Sequence, residues 1–165
     1  MNKSELKNSF FEYIKVIIIT VLVTYSVLYF VQVSRVVGSS MEPNYHDGNI
    51  ILVDKFFYKR STPEYNDIVV VSYYNGIEEE QIIKRVVAIG GDKIEVKDNK
   101  LYRNGVLIEE DYILEDMETH DFSYDIPNGK IFVLGDNRNI SVDSRIIGYV
   151  DFDDDVVGKV FFKVF

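Results

Sequence analysis

The chain has 165 residues, 47% hydrophobic and 27% charged, and its 18 Lys+Arg against 27 Asp+Glu give a formal net charge of -9. It has no cysteine and two histidines, which excludes a disulfide scaffold, a thiolate zinc site and a cysteine nucleophile, and leaves too few ligands for a histidine-rich metal site. The acidic balance argues against a nucleic-acid partner, whose phosphates are bound by Lys and Arg, and leaves an acidic globular domain or a membrane protein.

Between Lys15 and Arg35, the 19 residues from Val16 to Ser34 (VIIITVLVTYSVLYFVQVS) carry no charge. As a helix rising about 1.5 Å per residue, this run is roughly 28 Å long, close to the hydrocarbon thickness of a bilayer. It is read as a transmembrane anchor over 16–34. A buried core helix and a cleaved signal peptide, with Val36 and Gly38 at the cleavage site, are the competing readings. Lys3, Lys7 and Lys15 precede the run and only Arg35 closely follows it. Residues 1–15 are therefore expected in the cytoplasm and 35–165 on the other side of the cell membrane, single-pass. The first 34 residues hold three Lys and two Glu, so the remaining 131 keep 15 basic and 25 acidic side chains.

From Arg35 onward the pattern is strand-like. Asn49–Lys55, Asp67–Tyr74, Gln81–Ile89, Lys93–Val96, Lys100–Tyr102, Val106–Ile108, Lys130–Gly135 and Val156–Phe165 are short runs rich in Val, Ile, Tyr and Phe. Turn pairs such as Asp47-Gly48, Asn75-Gly76, Asn104-Gly105 and Asn128-Gly129 separate them. Helical periodicity is absent apart from a turn near Ser141. The expected fold is mainly β, an antiparallel sheet or barrel-like domain behind one N-terminal transmembrane helix. Two acidic regions stand out, Glu109–Asp125 with eight carboxylates and Asp151–Asp155 with four. Neither has the ligand spacing of a calcium loop, so both are read as solvated loops.

Three segments carry chemistry. In Gly38-Ser39-Ser40-Met41-Glu42-Pro43, paired serines offer a nucleophile and Gly38 permits close approach; a serine-rich linker is the plain alternative. In Ile82-Ile83-Lys84-Arg85-Val86-Val87, strand alternation puts Lys84 on one face with Ile82 and Val86. A lysine at its reference pKa of about 10.4 is protonated and useless as a base, but desolvation among Ile and Val can bring it to about 8. The alternative is an edge-strand lysine reaching out to water. In the third segment, Gly135 to Arg145, Asp136 and Asp143 can form charge-assisted pairs with Arg85, Arg138 and Arg145, leaving a serine hydroxyl to orient a neighbouring amine.

In this order and spacing the segments closely resemble the sequence boxes of type I signal peptidases of the short Gram-positive type. These are membrane-bound serine endopeptidases with a Ser/Lys dyad that remove signal peptides from exported proteins. The resemblance implies Ser40 as nucleophile, Lys84 as general base and Ser141 as the hydroxyl that orients the lysine amine. It further implies Asp143, Arg145 and Arg85 as ion-paired braces. Shallow pockets for small side chains one and three residues before the cut, the A-x-A pattern, would be lined by Val36, Met41, Tyr45, Ile82 and Ile83. The Ser40 backbone N–H would be one oxyanion donor. Where some relatives supply a second donor from a serine, this chain has Gly38. The implied partners are signal peptides of exported preproteins and the lipid bilayer; no metal and no cofactor are implied.

The chain departs from the usual pattern at Asn139 (for aspartate), Ile140 (for asparagine) and Asn44-Tyr45 (for Thr-Leu). These departures keep open a specialised or non-catalytic module serving the assembly of surface or pilus proteins. A Ser40/His46 pairing and a self-cleaving repressor-type Ser/Lys protease are the remaining alternatives.

Overall fold

In the computed structural model, which describes residues 3–165 and side chains from Phe10 onward, the apolar run divides into helix and strand. Met1, Asn2 and the side chains of Lys3 and Lys7, on which the orientation argument partly rests, lie outside the described residues. Helix α1 (Lys3–Phe30) ends four residues before the expected end of the anchor. The last part, VQVS, alternates β-branched and polar side chains. It therefore obeys the strand period and forms β1 (Val31–Arg35), paired with β2 (Ile50–Asp54). Phe10–Phe30 is long and apolar enough to cross a membrane and none of it is buried, which overturns the core-helix reading. Cleavage at Val36–Gly38 would strip β1 from its sheet.

The junction between helix and sheet has no slack. The Lys55 N–H donates to the Phe30 carbonyl over 3.1 Å, and the rings of Tyr29, Phe30, Phe56 and Phe57 interlock with centroids 4.9 to 5.8 Å apart.

The remaining strands are β3 (Ile68–Tyr74), β4 (Glu79–Ile89), β5 (Lys93–Lys97), β6 (Lys100–Arg103), β7 (Val106–Leu107), β8 (Phe122–Asp125), β9 (Lys130–Leu134), β10 (Val150–Asp151) and β11 (Val156–Lys163). A one-turn helix, α2 (Ser144–Ile147), precedes β10. Seven strands form one antiparallel sheet in the order β1-β2-β11-β3-β4-β9-β10, and four form a second, β7-β6-β5-β8. The mainly β antiparallel expectation holds. β1, β8 and β10 went unexpected, β1 because it lies inside the apolar run and the other two because they fall in or against the acidic stretches read as loops.

β4 organises the interior. Val86 joins a core with Val69, Val71 and Val133, while Val87 and Ala88 join a second with Ile94, Val96 and Phe132. Ile83 joins a third with Val36, Met41 and Ile51. One strand reaches all three because its register against β9 shifts between Val86 and Ala88, a bulge that re-aims successive side chains. Burying each such Val or Ile contributes about 1.5–3 kcal/mol. The same burial holds the neighbouring Lys84 in place.

Candidate active site

Ser40 lies on a tight turn after β1. Val36 and Met41, both buried in the third core, flank it, and the Tyr45 N–H donates to the Met41 carbonyl over 2.9 Å. From the other side Asn137 pins the turn, its backbone N–H donating to the Ser40 carbonyl (3.0 Å) and its Nδ2 to the Ser39 carbonyl (3.2 Å).

Lys84, on β4, is only 2% exposed. Its Nζ lies 2.8 Å from Ser40 Oγ and 2.7 Å from the Ile83 carbonyl. Burial drives its pKa down from 10.5 to about 8, against the opposing pull of Asp143, Asp136 and Glu80. Once neutral, the amine can donate to the carbonyl and turn its lone pair to the serine O–H.

Ser141 is 6% exposed and comes to the same place, but its hydroxyl bonds to no group among the described residues. The Lys84 amine is held by Ser40 and Ile83, so the expected Ser141 contact to it is not made. Gly135 makes the approach of Ser141 possible. A Cβ there would stand 2.2 Å from Ser141 Oγ and 2.6 Å from the Ser40 carbonyl oxygen.

The expected braces form. Arg85 grips Asp136 through two bonds of 2.7 Å, and its guanidinium lies 4.0 Å over the Tyr112 ring. Asn44 donates to Asp136 (2.8 Å) and to the Tyr112 carbonyl (2.6 Å), which gives one of the departing residues a bracing contact. Asp143 accepts from Arg145 Nε and Nη2, each at 2.8 Å, and from the Gly135 N–H at 3.0 Å, and it caps α2.

Sequence reasoning counted Arg138 among the braces but missed its partner. Arg138, fully buried, pairs with Glu110 through bonds of 2.8 and 2.5 Å and donates to the Gly135 carbonyl at 2.9 Å. Glu110 belongs to the acidic stretch read as solvated. That reading is corrected in part, because Met117 enters the second core and the Leu114 N–H donates to the Asp136 carbonyl. Asn139 also ties the stretch down, donating to Glu115 and the Asp116 carbonyl and accepting from the Glu118 N–H. The legible signal was a carboxylate run elsewhere in a chain whose three candidate arginines, Arg85, Arg138 and Arg145, outnumber Asp136 and Asp143.

A groove of about 280 Å³ opens from Ser40 and Lys84, lined by Val36, Val37, Ile51, Val70, Ile82 and Ile83 together with Ser34, Arg35, Glu80 and Gln81. Val36, Ile82 and Ile83 are thus where they were expected. Met41 and Tyr45 are not: the turn that presents Ser40 aims Met41 into the core, and Tyr45 packs against that core below the Lys163 ammonium. Gly38 does not line the groove, and its N–H donates to Asp47 Oδ1 at 2.9 Å. His46 stands beside Glu42, with Nδ1 3.4 Å from the carboxylate, so the Ser40/His46 pairing is not formed. A larger cleft of about 520 Å³ between β3 and α2 contains neither Ser40 nor Lys84. Among the described residues no group of His, Asp and Glu is placed to hold a metal ion.

The family model for signal peptidase, peptidase S26, matches residues 10–165. The chain belongs to the signal peptidase family, peptidase S26. It is 36% identical over 144 residues to signal peptidase IB of Staphylococcus aureus strain Mu50, covering 76% of this chain and 73% of the relative. It is also 36% identical over 158 residues to signal peptidase I of Bacillus licheniformis, covering 88% and 83%. Among solved structures, a signal peptidase I from Enterococcus faecalis V583 superposes with a TM-score of 0.51 at 32% identity, over 60% of this chain and 97% of that one. The chain is therefore an enzyme of this peptidase family, as the three sequence boxes implied.

Proposed function

We propose that this signal peptidase cuts with Ser40 as nucleophile and Lys84 as general base, anchored in a membrane by Phe10–Phe30. The observation that carries the proposal is the 2.8 Å contact between Lys84 Nζ and Ser40 Oγ, made by a lysine that burial deprives of its usual affinity for a proton. Neutral Lys84 takes the Ser40 proton as Oγ attacks the scissile carbonyl carbon, and the ammonium then protonates the leaving amine. Water, deprotonated by the same lysine, releases the acyl group from Ser40. The Ser40 backbone N–H favours the developing oxyanion. The Ser141 hydroxyl, unpaired beside the nucleophile, turns to the amine once the serine proton moves.

Two free strand edges support an extended substrate. β4 meets β9 only from Arg85 onward, so Glu79–Lys84 offer an unpaired edge to the groove, and β1 pairs with β2 alone. A signal peptide added as a strand would place small residues against Val36, Ile82 and Ile83 in the A-x-A manner. The excess of lysines before the apolar run puts residues 35–165 outside the cytoplasm, where exported preproteins emerge.

The test is cleavage of an A-x-A preprotein in detergent by wild type, Ser40→Ala and Lys84→Ala. Wild type is expected to cut and each variant to fall at least about a hundred-fold, the usual weight of a general base. Activity retained in Lys84→Ala would sink the assignment. The departures at Asn139 and Ile140 do not favour the non-catalytic alternative, because Asn139 is satisfied by the acidic stretch and the Ile140 side chain is exposed.

A further inference from the structure

Ser40 and Lys84 are 44 residues apart in the chain and meet through one bond of 2.8 Å. That bond cannot hold the pair together throughout a reaction in which Ser40 Oγ is acylated and has no proton to share. The alignment then depends on what fixes the two backbones. Each has a neighbour tied to the same carboxylate. Asp136, whose side chain is fully buried, accepts at Oδ1 and Oδ2 from Nε and Nη2 of Arg85, the residue after Lys84. Its Oδ2 also accepts from Nδ2 of Asn44, four residues past Ser40, at 2.8 Å. One buried anion thus joins the strand of the base to the turn of the nucleophile.

Asn44 does this with a side chain that departs from the family pattern. Its Nδ2 also donates to the Tyr112 carbonyl at 2.6 Å, and the Tyr112 ring lies 4.0 Å beneath the Arg85 guanidinium. An amide NH2 has two protons and serves both acceptors, whereas the hydroxyl of the usual threonine has one and serves a single acceptor at a time. The turn is stiff enough to pass this anchorage on to Ser40. The backbone N–H groups of Asn44 and Tyr45 both donate to the Met41 carbonyl, at 3.0 and 2.9 Å, and Met41, next to Ser40, is locked in the core. From β11, Lys163 Nζ donates to the Asn44 carbonyl at 2.9 Å.

We propose that Asn44 is a positioning residue for the reaction: through Asp136 it holds Ser40 at its working distance from Lys84. The proposal rests on Ser40 and Lys84 as the cutting pair. Its test is preprotein cleavage by the full chain in detergent, with kcat and KM measured separately. Asn44→Ala should lower kcat by roughly ten-fold, the cost of a sub-ångström misplacement of a reacting group, and leave KM unchanged. Asn44→Asp has the same shape but turns an oxygen towards Asp136 and the Tyr112 carbonyl, so its kcat should fall further. A contact that only stabilised the fold would lower the urea midpoint and leave the kcat of the folded enzyme as it was. Arg85→Lys loses the two-pronged grip on Asp136, and combined with Asn44→Ala it should cost less than the product of the two single losses, because both act through that carboxylate. An unchanged kcat in folded Asn44→Ala, a change confined to KM, or losses that simply multiply would overturn the proposal and leave the dyad intact. Should Asn44→Asp fail to fold, Asn44→Ala still decides. If Ser40→Ala cuts as wild type does, the dyad reading falls and this one falls with it.

Discussion

Two regions of one site treat buried cations in opposite ways. In the loop from Gly135 to Arg145, Arg138 and Arg145 meet Glu110 and Asp143 in two-pronged pairs, and Arg85 reaches Asp136 there in the same manner. A few ångströms away on β4, Lys84 is as deeply buried but has only a hydroxyl and a carbonyl oxygen in contact. A guanidinium that receives a carboxylate at both prongs stays charged and rigid. An ammonium that receives neither gives up its proton more easily. Bracing and chemistry thus come from the same ingredient, a buried positive charge, divided by whether a carboxylate touches it.

Mutations in the two regions should therefore change stability with opposite signs. The largest effect is expected for Arg138→Met, which leaves Glu110 charged and nearly buried and should cost about 3–5 kcal/mol in urea unfolding. A second change, Glu110→Leu, should restore much of it, and an unchanged unfolding midpoint in the single variant would end the contrast.

Lys84→Met is expected to abolish cleavage and yet stabilise the fold at pH 7 by up to about 3 kcal/mol. The folded pKa of about 8 lies below the ordinary 10.5, mainly through burial. Below pH 8 the lysine is protonated in both states, and the folded state bears the whole unfavourable difference. As pH rises from about 8 towards 10.5 that difference disappears, so the gain should be present at pH 7 and gone by pH 11. A destabilised Lys84→Met at pH 7 would show that the lysine is held by more than packing.

With Lys84 as the proposed base, the same titration should set the rate. For the wild type, kcat/KM should climb about ten-fold per pH unit below 8 and level off above it. A flat profile from pH 6 to 9 would mean that the base is neutral throughout or is another group.

The smallest effect belongs to the rim. Asn139→Asp places a carboxylate beside Glu115, which accepts from Asn139 Nδ2 at 3.0 Å. On this exposed surface the cost should stay below about 1 kcal/mol and vanish in acid as the carboxylates protonate, which a pH series of melting temperatures would detect.

Much of the fold and of the candidate site was legible in the sequence because the proposed dyad sits on local patterns. Lys84 follows from a lysine inside a Val/Ile alternation, and Ser40 from a serine pair in an ordered set of three boxes. What escaped depends on distances the sequence does not carry. The alternation in Val31–Arg35 was masked by the apolar run before it. Met41 and Tyr45, close to Ser40 along the chain, were assigned to the groove, but a turn decides the direction of a side chain and this one sends Met41 inward. Glu110 looked like any member of a solvated acidic run, since its partner Arg138 is 28 residues away. Ser141 came to the expected place, but its rotor is unbonded, and no spacing rule reports on a rotor.

The junction at Phe30, where helix passes into β1 and the aromatic rings close over the seam, bears on how such an enzyme measures its substrate. A catalytic unit on a loose tether would sample many heights above a bilayer and cut wherever sequence allowed. With α1 as the proposed membrane anchor, a unit fused to it would act as a depth gauge, and Ser40 would sweep a single plane. On that proposal a scissile bond would be recognised partly by how many residues of chain separate it from the hydrophobic segment that dwells in the lipid.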